Sequence, residues 1–443
     1  MNCQMINDFS CSDVLCKRAQ QIIPGGAHTY SKGADQSPLL GPKFMDHGLA
    51  GHVWDVDGNE YIDWAMGLSS VSIGHCYEPV LSAVRAELAR GSNFQCPSPK
   101  EVELAELFLR EVPGAEMVKF AKNGSTVTTA AVKLARAYTG RKYVAYCSDH
   151  GFFSYDDWFM AKKPNNAGIP EEISNLSLTF RYNDMASVEE LFATYPGQIA
   201  CVILEPMEFD YPEDKFLHKI KNLCNRDGAV FVLDEMITGF RLAYPGAHRL
   251  LDIEADMTTW GKGVANGFSV CVLAGKKEIL DLGGITHKKD RVFLISTTHG
   301  AEIHSLAAAI ATINAVKSEN SIERNTATGK VLQEAITKEI QKSGLTDFIS
   351  IKGHPCWQLL QFRNGNKEFC DGYKTLVFQE FIKHGVLFRG SFVTTISHTE
   401  EDVQNTVSAF SSVLKVYSSA LNSGGYEKHL VGDPVKPVFR KRN

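Results

Sequence analysis

At 443 residues with 44% apolar content, the chain is long enough for a large core and for more than one domain. Its formal charge of -5 comes from Lys and Arg scattered among Asp and Glu with no basic block, which points away from nucleic acid and towards a small-molecule partner. The 11 cysteines show no CxxC or zinc-like spacing, the opening MNCQMINDFSCSDVLCKRAQ has no apolar signal core, and every apolar run falls short of a membrane span, so a cytoplasmic protein with reduced thiols, no metal and no membrane segment is expected.

Residues 1–60 mix PGG (24–26), SKG (31–33) and the start of WDVDGNEYID (54–63), a hairpin signal turning at Asp57-Gly58; they read as an N-terminal arm and part of a small domain. Over residues 61–318, seven β-rich runs (MVKFAKN, YVAYC, LSLTF, ACVILE, AVFVLDE, SVCVLAG and VFLIS) alternate with helical patterns such as VTTAAVKLARAYTG. That alternation predicts an α/β domain with a mostly parallel, seven-stranded sheet flanked by helices. Residues 319–443 change to helix, strand (HPCWQLLQFR) and helix, a C-terminal small α+β domain. There is no internal repeat.

Ligands of open parallel sheets bind beyond the carboxyl ends of the strands, and four such ends carry unusual chemistry here. Asn123-Gly124-Ser125 runs straight into a helix whose first N–H groups, with the Ser125 and Thr126 hydroxyls, can cradle a phosphate; an ordinary N-cap is the plainer reading. Asp234 ends an almost wholly apolar strand, where a carboxylate needs a cation such as a protonated ring nitrogen; capping of the next helix or pairing with Arg241 are the alternatives. Lys262 lies among Gly261, Gly263 and Gly267, which suits an amine that must approach a carbonyl carbon, as well as a solvated turn. Glu205 in CVILEPM and His150, Phe152 and Phe153 in SDHGFF close two more strands, and either phenylalanine could cover a flat ring or simply pack in the core. Taken together, these features describe a site for pyridoxal 5'-phosphate (PLP).

The chain resembles the class III aminotransferases of PLP fold type I, in the glutamate-1-semialdehyde aminomutase-like branch, over most of its length. The resemblance is carried by PGG (24–26), WDVDGNEYIDW, GHCYEPV, NGS with AAVKLAR, CVILEPM, VFVLDEMITGFRLAYPGA, DMTTWGKGVANG and GVLFRG…SHTEEDV. Asp234 and Lys262, 28 positions apart, fall in the most specific pair of motifs. The resemblance implies Lys262 as the Schiff-base lysine, Asp234 as partner of the ring nitrogen, Met236 against a ring face and Glu205 near the cofactor. It implies Gly124 and Ser125 in the phosphate loop, with Thr126 where an acidic residue is common. It also implies Thr297 of STTHGAE reaching the phosphate of a neighbouring subunit, hence a homodimer with shared sites. Asp149 stands where the family has an aromatic, which passes the stacking role to Phe152, and Gly300-Ala301-Glu302 replaces a common Gly-Asn-Pro. Lys32 stands where true aminomutases have an arginine. With His28, Tyr30 and a carboxylate contact at Arg389, it suggests a hydroxyl-rich, sugar-like acceptor aminated at the expense of glutamate, with the aminomutase reaction as alternative and a non-catalytic binding protein as a minor one.

Overall fold

The computed structural model describes residues 5–442. The chain divides into two compact units. One gathers the described residues up to Leu68 with Ile73–Tyr77 and Glu323–Phe439; the other gathers Ser69–Ser72, Glu78–Ile322 and the last described residues from Arg440.

The first unit opens with three strands, β1 (Met45–Leu49), β2 (His52–Asp55) and β3 (Glu60–Asp63), joined as an antiparallel meander. The β2–β3 turn lies at Asp57-Gly58, as its sequence predicts. Gly58 takes φ +84° there, a conformation only glycine adopts freely. The Asp55 carboxylate closes the turn by accepting from the Asp57 and Asn59 N–H groups at 3.0 and 2.8 Å.

The second unit holds strands β4 (Met117–Ala121), β5 (Tyr143–Cys147), β6 (Ser177–Phe180), β7 (Ile199–Leu204), β8 (Val230–Asp234), β9 (Met257–Trp260) and β10 (Cys271–Gly275). They form one sheet in the order β4-β10-β9-β8-β7-β5-β6. Only β10 runs antiparallel to its neighbours, so the other six strands share one carboxyl edge. Every residue of β7 and β8 is buried, which is why both read as continuous apolar runs and not as alternating ones.

The sheet has the predicted seven strands, with one member exchanged. Residues 292–296, VFLIS, pair with no strand; Val292 is buried but Phe293 is 64% exposed. The seventh place goes to Met257–Trp260, whose two threonines disguise a fully buried strand. Their hydroxyls are satisfied inside: Thr258 Oγ1 accepts from Trp260 Nε1 at 2.8 Å and Thr259 Oγ1 donates to Asp234 Oδ1 at 2.8 Å. Strand propensity measures fit to a neighbouring strand, and VFLIS has none.

The remaining strands, β11 (Ile349–His354), β12 (Trp357–Phe362), β13 (Val386–Leu387) and β14 (Ser391–Val393), return to the first unit. There β13 adds parallel to β3, and β11-β12-β14 form a second sheet. The helices Ser321–Lys342, Asp371–Lys383 and Glu400–Asn422 contribute to a core containing Leu332, Phe381, Phe410 and Tyr417. No helix among the described residues is long and apolar enough to cross a membrane.

Candidate active site

The shared carboxyl edge of the larger sheet is where the charges collect. Asp234 ends β8 and is 1% exposed. Its Oδ1 accepts from Thr259 Oγ1 at 2.8 Å, across the register that pairs Asp234 with Thr259, and from the Met236 N–H at 3.0 Å. Burial pushes its pKa up to about 6, against the opposing pull of the Thr259 hydrogen bond and the Lys262 ammonium. Such a carboxylate is poised for a cationic partner.

Lys262 follows β9 at the head of a short 3-10 turn, with φ +40°. Burial lowers its pKa below the ordinary lysine value, although Glu205 and Asp234 pull the other way. Two of the glycines around it, Gly261 and Gly263, are also required by packing. A Cβ on Gly261 would come within 2.4 Å of Met236 Sδ and 2.5 Å of Cys271 Sγ, and one on Gly263 would lie 3.2 Å from both Arg241 Nη2 and Ser72 Cβ. They make room for neighbouring side chains, Met236 and Cys271 at Gly261 and Arg241 and Ser72 at Gly263. Arg241 itself donates to the Ile237 carbonyl at 3.0 Å and to the Ser69 carbonyl.

Beyond β4, the helix Gly124–Thr139 starts with Asn123 as N-cap. Asn123 Oδ1 takes both the N–H and the hydroxyl of Thr126, at 3.0 and 3.1 Å, which withdraws Thr126 from the donors an anion would meet. The N–H groups of Gly124 and Ser125 precede the first intrahelical bond and remain available. Ser125 Oγ accepts from the Tyr155 N–H at 3.0 Å, leaving its hydroxyl hydrogen to point elsewhere. Gly124 is again a spacing requirement, since a Cβ there would stand 2.9 Å from Met236 Cε.

Past β7, Glu205 is 2% exposed and its Oε2 has no hydrogen-bond partner. Burial, with repulsion from Glu208 and Asp234, drives its pKa well above the carboxylate range. The Glu205 N–H donates to His150 Nδ1 at 3.1 Å. Burial depresses His150 to about 3, so the ring is neutral, and with Nδ1 accepting, its proton lies on Nε2, which is buried and also unpartnered. Asp149 turns its carboxylate to the Tyr182 N–H at 2.8 Å. Phe152 is 49% exposed and packs edge-on against Phe159 at 5.9 Å, while Phe153 is buried. Thr297 is exposed, its hydroxyl donating to the His299 carbonyl at 2.6 Å.

Thus Lys262, Asp234, Glu205, Met236, Gly124, Ser125, Thr126, Phe152 and Thr297 all belong to the larger unit. Of the other residues singled out, His28, Tyr30 and Lys32 are exposed on the smaller unit, and Arg389 is held there by Ser37 Oγ at 3.0 Å, with burial lowering it to about 10 near Asp35 and Asp63. Three contributors escape the sequence reading: Thr259, Cys271 and Glu208. Glu208, three positions after Glu205 just past a buried strand, carries the one sequence signal that would have found it.

A six-parallel, one-antiparallel sheet carrying lysine, aspartate and a helix N-terminus at one edge has the architecture of a PLP enzyme of fold type I. The Aminotransferase class-III family profile matches residues 34–413, and the chain belongs to that family. Glutamate-1-semialdehyde 2,1-aminomutase of Acidobacterium capsulatum is 30% identical over 92% of this chain and 99% of its own, and that of Citrifermentans bemidjiense shows the same values. Among solved structures, the FumI protein of Sphingopyxis sp. MTA144 in its PLP internal aldimine form superposes with a TM-score of 0.84 at 26% identity, covering 96% of this chain and 98% of that one. An omega-transaminase from Sphaerobacter thermophilus shares the fold, with a TM-score of 0.84 at 22% identity over 92% of this chain and 98% of that one. The protein is therefore a PLP-dependent enzyme of the class III aminotransferase family. The residues present fit the cofactor: the lone Glu205 Oε2, the uncompensated Asp234 and the open helix N-terminus each call for a partner that PLP carries.

Proposed function

We propose that the site at Lys262 transfers an amino group by a ping-pong reaction from an amino donor, glutamate, to the carbonyl of a sugar-like acceptor, for example the terminal carbon of an eight-carbon keto-sugar acid. The observation that supports the transaminase chemistry is the placement of a buried acid, Asp234 at the end of β8, held by Thr259 of the neighbouring strand β9, with Lys262 directly after that strand. Asp234 would hold the ring nitrogen, Gly124 and Ser125 the phosphate, Met236 one ring face, and Lys262 the aldehyde carbon. When bound, PLP supplies that aldehyde and a ring that withdraws electrons from the reacting carbon.

Lys262 works through its Nζ. Burial favours the uncharged amine, which makes it a nucleophile, and the same atom can accept and return the proton moved during transfer. Asp234, fixed by Thr259 and Met236, would keep a proton on the ring nitrogen it is proposed to hold. Phe152 lies on the loop after β5, suitably placed in sequence to cover the ring. His28, Tyr30, Lys32 and Arg389 are the proposed hydroxyl-binding and carboxylate-binding residues. Thr297 is assigned to a neighbouring subunit's phosphate in a cytoplasmic homodimer. An amino-sugar product agrees with Lys32, which lacks the forked geometry by which arginine grips a carboxylate.

The names of the curated relatives support a second reading, the aminomutase reaction, in which one molecule supplies and receives the amino group. The two separate cleanly. A transaminase supplied with glutamate and the acceptor forms 2-oxoglutarate in step with aminated product, and the visible absorption of its cofactor changes with glutamate alone. An aminomutase isomerises glutamate-1-semialdehyde with no external donor. Lys262→Ala should remove turnover in either assay, by at least about a thousandfold for loss of nucleophile and base together; a variant with normal turnover refutes the assignment.

A further inference from the structure

Glu208 has no role in the chemistry above, yet it stands in the same group of charges. Its Oε1 accepts from the Gly151 N–H at 2.9 Å, which ties the loop after β7 to the loop after β5. The Glu205 carboxyl adjoins it, and Lys262 lies within electrostatic range of it. Lys163 feels it as well, and Asp210 adds a second negative neighbour.

This mixture constrains what can bind. A cation placed against Glu208 meets Lys163; an anion meets Glu208 and Asp210. A neutral polar group meets neither penalty. The same neighbourhood offers unsatisfied hydrogen-bonding atoms of both kinds. Glu205 Oε2 is buried without a partner, and His150 Nε2 is a buried donor without an acceptor. A patch that both gives and takes hydrogen bonds suits hydroxyl groups, each of which has one hydrogen to donate and two lone pairs.

We propose that Glu208 is a specificity-determining residue whose carboxylate accepts hydroxyl hydrogens from a polyhydroxylated carbonyl acceptor, beside the amine of Lys262. The proposal rests on the transaminase reading of the site and adds the residue that selects the acceptor. A site built to take a hydroxyl rejects an acceptor lacking it, because the partly buried carboxylate, which the Gly151 N–H serves at one oxygen only, is then one donor short.

The test uses the holoenzyme with Glu208→Gln and Glu208→Ala. Glyceraldehyde and propanal serve as acceptors with and without hydroxyls, and sorbitol serves as an unreactive polyol. The wild type should favour glyceraldehyde over propanal in kcat/KM by about tenfold or more, and Glu208→Ala should bring that ratio near one. Glu208→Gln, which keeps an acceptor oxygen without the charge, should fall between. The ratio divides out any loss common to both acceptors. Sorbitol binding, followed by calorimetry, should weaken by about tenfold in Glu208→Ala, a readout that needs no turnover. The proposal is overturned by an unchanged ratio in Glu208→Ala, by equal sorbitol binding, by a wild type indifferent to hydroxyls, or by selective loss of a diamine donor such as putrescine, which would make Glu208 a cation holder. If the wild type moves no amino group from glutamate, the transaminase reading fails by itself while sorbitol binding still decides the role of Glu208.

Discussion

The cofactor-free protein keeps Asp234 at a cost that can be measured. Its folded pKa of about 6 lies above the ordinary 3.8, so between those values the folded state holds a proton that the unfolded chain has released. The sign follows: stability from this group is highest below pH 4, falls as pH rises towards 6 and stays low above it. The difference amounts to about 2 to 3 kcal/mol at neutral pH. Asp234→Asn keeps an oxygen for the Thr259 hydroxyl and the Met236 N–H but carries no charge. Without cofactor it should exceed the wild type in stability at pH 7 by up to that amount and match it near pH 4; with cofactor the order should reverse, since the proposed cationic partner rewards only the carboxylate. Denaturant unfolding at the two pH values, with and without PLP, checks this. An apo variant less stable than the wild type at pH 7 would mean that Asp234 is already compensated inside the chain.

At the scale of elements, the β9 segment explains both what the sequence discloses and what it hides. Lys262 and Asp234 stand out because charged residues interrupt or end apolar runs. Thr259 does not stand out, because its role exists only once β8 and β9 are in register and its hydroxyl meets Asp234. MTTW looks too short and too polar for a central strand, and VFLIS looks ideal for one; the outcome depends on partners that local composition does not specify. The parallel order, by contrast, was legible, because β7 and β8 are buried on both faces and show it as unbroken apolar runs. Gly261 beside Lys262 was visible but its packing role was not, since that lies in the sulfur atoms of Met236 and Cys271 from other segments. Gly261→Ala should therefore destabilise the protein by about 1 to 3 kcal/mol through overpacking. Adding Cys271→Ala to it should recover part of the loss by clearing one of the two sulfurs. Equal denaturation midpoints for wild type and Gly261→Ala would show that the site has slack the structure does not suggest.

For the molecule as a whole, the open question is whether each site is completed by a second copy. Thr297 is exposed, and Phe293 and Ile285 nearby in sequence are 64% and 81% exposed. If Thr297 serves the neighbour's phosphate, Thr297→Ala should weaken PLP binding by about tenfold or more, the loss of a hydrogen bond to a charged group. Lys262→Ala is inactive for a different reason, and mixing the two variants exploits that. In a mixed dimer, one site combines both defects and the other combines the intact Lys262 of one chain with the intact Thr297 of its partner. After co-refolding at limiting PLP, equal amounts of the two variants should regain activity in about a quarter of all sites, well above the average of the separate preparations. With Thr297 acting within its own chain, every site of the mixed dimer would carry one defect, and co-refolding would restore nothing. Activity against mixing ratio distinguishes the two arrangements, because only sharing between subunits gives a maximum at the equal mixture.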